Sequence, residues 1–363
     1  MHDILCVAGA RPNFMKIKPV VDALERRAQR VSIVHTGQHY DVAMSDAFFA
    51  DLGLREPDHH LRAGSGTHAE QTARVMVEFE RLLVTVQADA VVVVGDVNST
   101  LACGIVAAKS PSLLAHVESG LRSRDWTMPE EVNRVAVDHV SDLLLAPSPD
   151  AMENLEAEGL GDRAALVGNV MVDSLVANVG RARSAGTLAQ LHLERRAYGV
   201  VTLHRPANVD DDASFDRLMT AIALVARSVP LVLPAHPRAA ERIAARGDVP
   251  GLTVIPAMGY LDFLALEDGA RIVLTDSGGV QEETTVLGVP CLTLRDNTER
   301  PITVTHGTNR VVGTDPVAIA EAAADVLADP PPARCPELWD GAAAERIADA
   351  LLGALQERGA RRT

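Results

Sequence analysis

At 363 residues, 47% of them hydrophobic, the chain has material for about two packed domains, and its net charge of −15, with no Lys/Arg block to interrupt it, excludes a nucleic-acid surface. No apolar run is long enough to span a bilayer and the chain opens on a strand-like run, so neither a membrane partner nor a signal peptide is expected. Cys6, Cys103, Cys291 and Cys335 are scattered without metal-ligand spacing. The first three sit in apolar segments, where a reduced thiol acts as a small hydrophobe, and the expected compartment is the cytoplasm.

Apolar strand-type runs alternate with helical stretches, the pattern of an α/β protein. Residues 4–8 form the first strand, 9–13 a turn, and 14–26 a helix. Arg11 and Lys16 flank that helix start, where two cations beside free N–H groups make an anion site. A second strand over 31–36 runs into a loop holding Gln38 and His39, a place where function often sits, although a lone histidine is more often structural. His59, His60 and His68 lack the carboxylate or cysteine companions that a metal site needs. Thr67 is placed to cap a helix over 69–86.

The run 90–94 reads as a buried parallel strand, and Asp96 follows its end. The strand 113–117 ends likewise in Glu118, and Pro129 opens a helix that carries Glu131. Three carboxylates gathered on the ligand face of an open sheet repel one another, which raises at least one pKa and yields both a base and an acid near neutral pH. The competing reading is three separate helix caps or salt bridges to Arg122, Arg124 and Arg134. Residues 143–146 and 152–158 read as a further strand and helix, and a domain boundary is expected between residues 172 and 173, giving domains 1–172 and 173–363.

The second domain opens with a strand over 199–203, which ends in His204 and Arg205, both able to donate to a diphosphate. Another strand, 231–234, runs into His236. The run 272–294 then reads as a strand, a turn, a helix over 280–287 stopped by Gly288, and a second strand. In its turn, Ser277, Gly278 and Gly279 let a ligand approach the backbone, and the helix N–H groups favour phosphate. Glu282 and Glu283 are expected in the first turn of that helix, either complementing its dipole or accepting from sugar hydroxyls. Arg300, beyond the second strand, is one more candidate cation for the diphosphate. A short strand at 311–312 and helices over 316–327 and 341–357 complete the chain.

These segments resemble the non-hydrolysing UDP-N-acetylglucosamine 2-epimerase family. The likeness is carried nearly end to end by GARPNFMKIKP at 9–19, TGQHYD at 36–41, VGDVNSTLA at 94–102, HVESGLRS at 116–123, PEEVNR at 129–134, VGNVMVD at 167–173, TLHRP at 202–206, LTDSGGVQEE at 274–283 and RDNTERP at 295–301. The resemblance implies two Rossmann-like domains facing a cleft, as in GT-B glycosyltransferases, with the last helix able to pack back on the first domain. It implies UDP held by the second domain, with Ser277, Gly278 and Gly279 at the diphosphate, Glu283 at the ribose hydroxyls, and Arg11, His204 and Arg300 near the diphosphate. Asp96, Glu118 and Glu131 match the acidic catalytic positions and Lys16 a lysine required there, while His204 joins the catalytic set.

The implied reaction interconverts UDP-GlcNAc and UDP-ManNAc. A carboxylate removes the C2 proton, UDP leaves to give a glycal-type intermediate, and UDP adds back with protonation on the other face. Neither metal nor nicotinamide is required. The partner implied is a UDP-sugar substrate, and a cytoplasmic homodimer serving cell-surface polysaccharide synthesis is the family expectation. Pro206 and Ala207 stand where the family often has Arg and Glu, and Tyr40 and Asp41 depart near Gln38 and His39. In bacterial members these regions contribute to a second, activating UDP-GlcNAc site, so that regulation is not implied here. Alternatives are a hydrolysing 2-epimerase, a 2-epimerase of a modified UDP-HexNAc, and, from another class, a GT-B glycosyltransferase, which needs no C2 base.

Overall fold

The computed structural model describes residues 1–37, 53–235 and 237–362. The chain divides into two compact units, one of Met1–Ser174 with Glu337–Thr363 and one of Leu175–Pro336.

The first unit is built on a seven-stranded sheet: β1 (Asp3–Ala8), β2 (Arg30–His35), β3 (His59–His60), β4 (Ala90–Val94), β5 (Leu113–Val117), β6 (Leu143–Ala146) and β7 (Ala164–Leu166), in the order β3-β2-β1-β4-β5-β6-β7. Every pairing is parallel. Parallel sheets are covered on both faces, which is why β4 reads AVVVV and is buried throughout. Leu5, Val7, Val91 and Val93 pack on one face with Val75, Phe79 and Leu83 of the helix His68–Val86. Thr67 caps that helix through Glu70 N–H, as the sequence suggests.

The C-terminal helix Ala343–Arg362 belongs to the first unit. Asp173 accepts from the N–H groups of Ala343 (3.1 Å) and Ala344 (2.8 Å) at its start. Arg27 donates to Asp349 at 2.7 Å, and the Trp339 indole donates to the Pro147 carbonyl at 2.9 Å.

The second unit has a six-stranded parallel sheet: β8 (Gly199–Thr202), β9 (Leu231–Ala235), β10 (Leu252–Pro256), β11 (Ile272–Thr275), β12 (Cys291–Thr293) and β13 (Asn309–Val311), in the order β10-β9-β8-β11-β12-β13. The two-residue period of a strand sends Val201, Ile272 and Leu274 into a core with the helices Asp212–Val225 and Pro316–Ala328. It sends Val200 and Val273 to the opposite face, with Tyr198, Leu266 and Val280.

Both sheets are doubly wound. In each, the strand order reverses once, between β1 and β4 in the first and between β8 and β11 in the second. The loops leaving those strands at their C-terminal ends diverge and leave a crevice, the usual ligand position in open α/β sheets. Among the described residues no helix is long and apolar enough to cross a membrane.

Candidate functional site

The first switch point collects the acids. Parallel pairing sets Val94 beside Val117, so the residues that follow, Gly95-Asp96 and Glu118, emerge at one edge. From the β1 side comes the helix Arg11–Arg26, which starts earlier than the sequence pattern suggests because Pro12 suits its first turn. Asn13 accepts from Ala10 N–H at 2.9 Å and donates to the Val94 carbonyl at 3.0 Å, tying that helix to the end of β4. One turn on, Lys16 is ion-paired with Glu118.

These groups converge on Gly95, which has φ +69°. A Cβ there would lie 3.3 Å from Glu118 Oε2, 3.4 Å from Asn13 Nδ2 and 3.6 Å from Lys16 Nζ. Glu118 itself has φ +69°. A left-handed, non-glycine residue costs on the order of 1–3 kcal/mol and persists where the surroundings hold it, most often at functional sites.

Asp96 and Glu131 share one guanidinium, that of Arg134. Glu131 also accepts from Ser123 N–H (2.9 Å), Ser123 Oγ (2.9 Å) and Arg124 N–H (2.7 Å), and Asn133 donates to the Asp96 carbonyl at 2.8 Å. The residue before the helix Asn98–Ala108 is Val97, whose side chain offers no cap. The side chain of Asp96 is 27% exposed, against 1% for Glu131 and 5% for Glu118, so Asp96 presents most carboxylate to a ligand.

The expected rise in pKa is not what Glu131 undergoes. Burial alone would push its carboxyl up, but the Ser123 and Arg124 N–H groups and the Arg134 charge hold it below its ordinary value. A cation and backbone donors stand between the acids and replace mutual repulsion with pairing.

At the second switch point Thr202 pairs with Thr275, so His204 and Asp276 leave the sheet side by side. Asp276 is fully buried. It accepts from His204 Nδ1 (2.6 Å), His204 N–H (3.1 Å), Arg205 N–H (3.0 Å) and Asn208 Nδ2 (3.1 Å). Burial pushes the Asp276 carboxyl up, but these donors and the His204 charge bring it below its ordinary value. With Nδ1 on Asp276, the imidazole presents Nε2 outward, and its side chain is 56% exposed. Sequence reading singled out His204 but not Asp276, which holds its Nδ1 from 72 residues away, nor Asn208, which donates to Asp276.

Ser277 precedes the helix Gly278–Leu287 and makes no side-chain cap bond. A Cβ at Gly278 would meet the ends of the Arg300 and Glu299 side chains, which would have to shift, whereas nothing lies within 4 Å of a Cβ at Gly279. Packing therefore leaves the Gly279 position open to a ligand. Because the helix begins at Gly278, Glu282 and Glu283 belong to its second turn, not its first, and both are buried. Arg300 is paired with Glu282 at 2.6 Å and Glu299 at 2.5 Å.

Of the remaining candidates, Gln38, His39 and His236 lie outside the described residues, as does the side-chain placement of Arg11. A groove of about 850 Å³ lies elsewhere in the first unit, lined in part by Met76, Val77, Leu83, Val84 and Val106, and none of the candidate residues borders it.

Fold and sites define a class: two doubly wound α/β units of GT-B-like type, one presenting cation-paired acids and the other an uncapped helix start. A profile of the UDP-N-acetylglucosamine 2-epimerase family matches residues 22–352. A UDP-N-acetylglucosamine 2-epimerase of Methanocaldococcus jannaschii is 40% identical over 326 residues, covering 85% of this chain and 87% of that one. A UDP-2,3-diacetamido-2,3-dideoxy-D-glucuronate 2-epimerase of Pseudomonas aeruginosa is 41% identical over 325 residues, 88% of this chain and 91% of its own. The crystal structure of the M. jannaschii UDP-GlcNAc 2-epimerase in complex with UDP-GlcNAc and UDP superposes with a TM-score of 0.89 at 38% identity, over 97% of this chain and 99% of that one. The chain belongs to the UDP-N-acetylglucosamine 2-epimerase family.

Proposed function

We propose that the protein interconverts UDP-GlcNAc and UDP-ManNAc by elimination and re-addition of UDP. The observation that carries this reading is the pairing of Asp96 and Glu131 on one guanidinium beside the Lys16–Glu118 pair. Simple glycosyl transfer needs no such set of acids, whereas exchange of the C2 proton needs a base on one face of the sugar and an acid on the other.

The labour divides between the units. In the second, the N–H groups at Gly278 and Gly279 and the outward Nε2 of His204 receive the diphosphate, and Glu283 accepts from the ribose hydroxyls. They stabilise the charge that develops on UDP as the anomeric C–O bond breaks. In the first, Asp96 removes the C2 proton, leaving a glycal-type intermediate, and the Lys16–Glu118 pair handles the proton on the opposite face. Glu131 fixes Arg134 and through it Asp96.

The M. jannaschii relatives favour UDP-GlcNAc as the sugar nucleotide. The P. aeruginosa relative supports a second reading, a modified UDP-HexNAc. Proton NMR of the purified protein with either nucleotide separates them: UDP-ManNAc formed from UDP-GlcNAc supports the first, turnover of the diacetamido uronate alone supports the second, and free ManNAc with UDP indicates a hydrolysing enzyme. We place the protein in the cytoplasm as a homodimer, supplying a 2-epimerised sugar nucleotide to cell-surface polysaccharide synthesis. The family resemblance supports the dimer, as do Val77 and Val84, which stand 47% and 71% exposed on the helix His68–Val86.

A further inference from the structure

Against the helix Gly278–Leu287 lies a carboxyl group that the reaction does not use. Glu267, near the end of the helix Tyr260–Gly269, is wholly buried, and neither of its oxygens has a hydrogen-bond partner. It faces Glu283, whose Oε1 is also buried and unsatisfied, as is the hydroxyl of Tyr260 two turns back on Glu267's own helix. A buried polar group with no partner is destabilising, so four such atoms in one nest mark a place where bonds are still to be made.

We infer that Glu267 is a positioning residue: a neutral carboxylic acid that lends its proton to Glu283 and so holds the Glu283 carboxylate ready for the ribose hydroxyls of the bound nucleotide. The inference rests on the reading of Glu283 as the ribose acceptor. Two carboxyls this deep do not both ionise, and they share one proton. Burial, and then the charge of Glu283, push Glu267 well above its ordinary value. Burial pushes Glu283 up to about 7, with the Glu282 charge adding to the rise and the neighbouring Tyr260 hydroxyl and Glu267 carboxyl opposing it. Glu283 is thus the member that ionises near neutrality, and Glu267 keeps the proton.

The other charges facing the nest are engaged elsewhere or neutral. Glu282 is paired with Arg300, and Asp268 with Arg183 and Arg195. Burial pushes the Cys291 thiol of β12 up to about 12. An ionised carboxylate offers about four acceptor sites. Once those bonds are made, Tyr260 and Glu267 supply two donors from inside, which leaves the outward sites for a vicinal diol. Removing the inner acid proton makes Glu283 harder to ionise, so nucleotide binding fails at higher pH than in the wild type.

UDP calorimetry across neutral pH on the full chain tests this with Glu267→Leu, Glu267→Gln and Glu283→Gln. The expected result is an affinity loss of about tenfold or more in Glu267→Leu at neutral pH, with its acid limb moved up by about one pH unit. Glu267→Gln, which keeps an N–H donor, recovers most of the affinity, with its limb between the two. In turnover the loss falls on KM rather than on kcat. Wild-type affinity and an unmoved limb in Glu267→Leu, while Glu283→Gln abolishes binding, would overturn the role of Glu267 and leave the ribose reading standing. Wild-type binding by Glu283→Gln would remove the ribose reading and this inference with it. Should Glu267→Leu not fold, an unmoved limb in Glu267→Gln contradicts the inference, because an amide cannot lend an acid proton.

Discussion

At the first switch point the acids meet cations: Glu118 meets Lys16, and Asp96 and Glu131 meet Arg134. At the second, two buried carboxyls lie against each other and a phenol, while the edge presents backbone N–H groups and the outward nitrogen of His204. The two sheets are wound alike and place their loops alike, so topology explains where each site lies but not what it does. Acids paired with cations at the end of a sheet are placed to take up and return a proton. A helix start with an open glycine can clamp an anion without a side chain. The contrast supports a reaction in which one unit moves a proton while the other receives a departing diphosphate.

The most severe way to break this contrast is Arg134→Met. It removes the cation that pairs with both the buried Glu131 carboxylate and Asp96, so epimerisation falls by about 10²–10⁴ and stability by about 3–5 kcal/mol. UDP affinity, measured by calorimetry below the melting temperature, stays at its wild-type value. Next comes the pair Gly279→Val and Gly278→Ala. Gly279→Val fills a position open to the ligand and weakens UDP binding by at least about tenfold with little change in melting. Gly278→Ala displaces only the ends of the Arg300 and Glu299 side chains, and its smaller effect falls on the melting temperature rather than on UDP binding.

A subtler effect separates the units by pH. Glu131 has a folded pKa below its unfolded one, so its contribution to stability is complete at neutrality and is lost as pH falls through the folded value. The stability deficit of Glu131→Gln therefore shrinks on acidification below about pH 4. Glu267 is raised instead: the unfolded chain ionises it above about pH 4 while the folded chain keeps it neutral, and the wild type loses stability as pH rises. Glu267→Gln should accordingly melt higher than wild type at neutral pH and match it below about pH 4. The smallest effect on chemistry is expected from Val84→Glu, which puts a charge on an exposed apolar helix face. On the proposed homodimer, light scattering should find the mass of Val84→Glu halved relative to wild type, with C2 exchange retained.

Much of this was legible in the sequence because strands, turns and helix starts are local. Asp96, Glu118 and Ser277–Gly279 stand where short apolar runs end, and that alone points to them. Helix starts were less legible. Reading the helix from Val280 put Glu282 and Glu283 in its first turn, yet the glycines before it are themselves helical. The i, i+3 spacing of Glu131 and Arg134 is visible in the chain, but Asp96 on the same guanidinium comes from 38 residues away. The partners of Lys16 and His204 come from 102 and 72 residues away, distances at which a single sequence carries no pairing signal. Glu267 is the furthest from legible. An acid at a helix end reads as a solvated surface group, and only packing reveals its burial.

The division of labour is tested most directly by proton NMR of the enzyme turning over UDP-GlcNAc in D2O. Elimination and re-addition through the first-unit acids predicts that UDP-ManNAc carries deuterium at C2 from its first appearance, and that remaining UDP-GlcNAc gains it as the reaction reverses. UDP-ManNAc that retains its original C2 proton would contradict the account, because no proton would then have passed to a carboxylate in exchange with solvent.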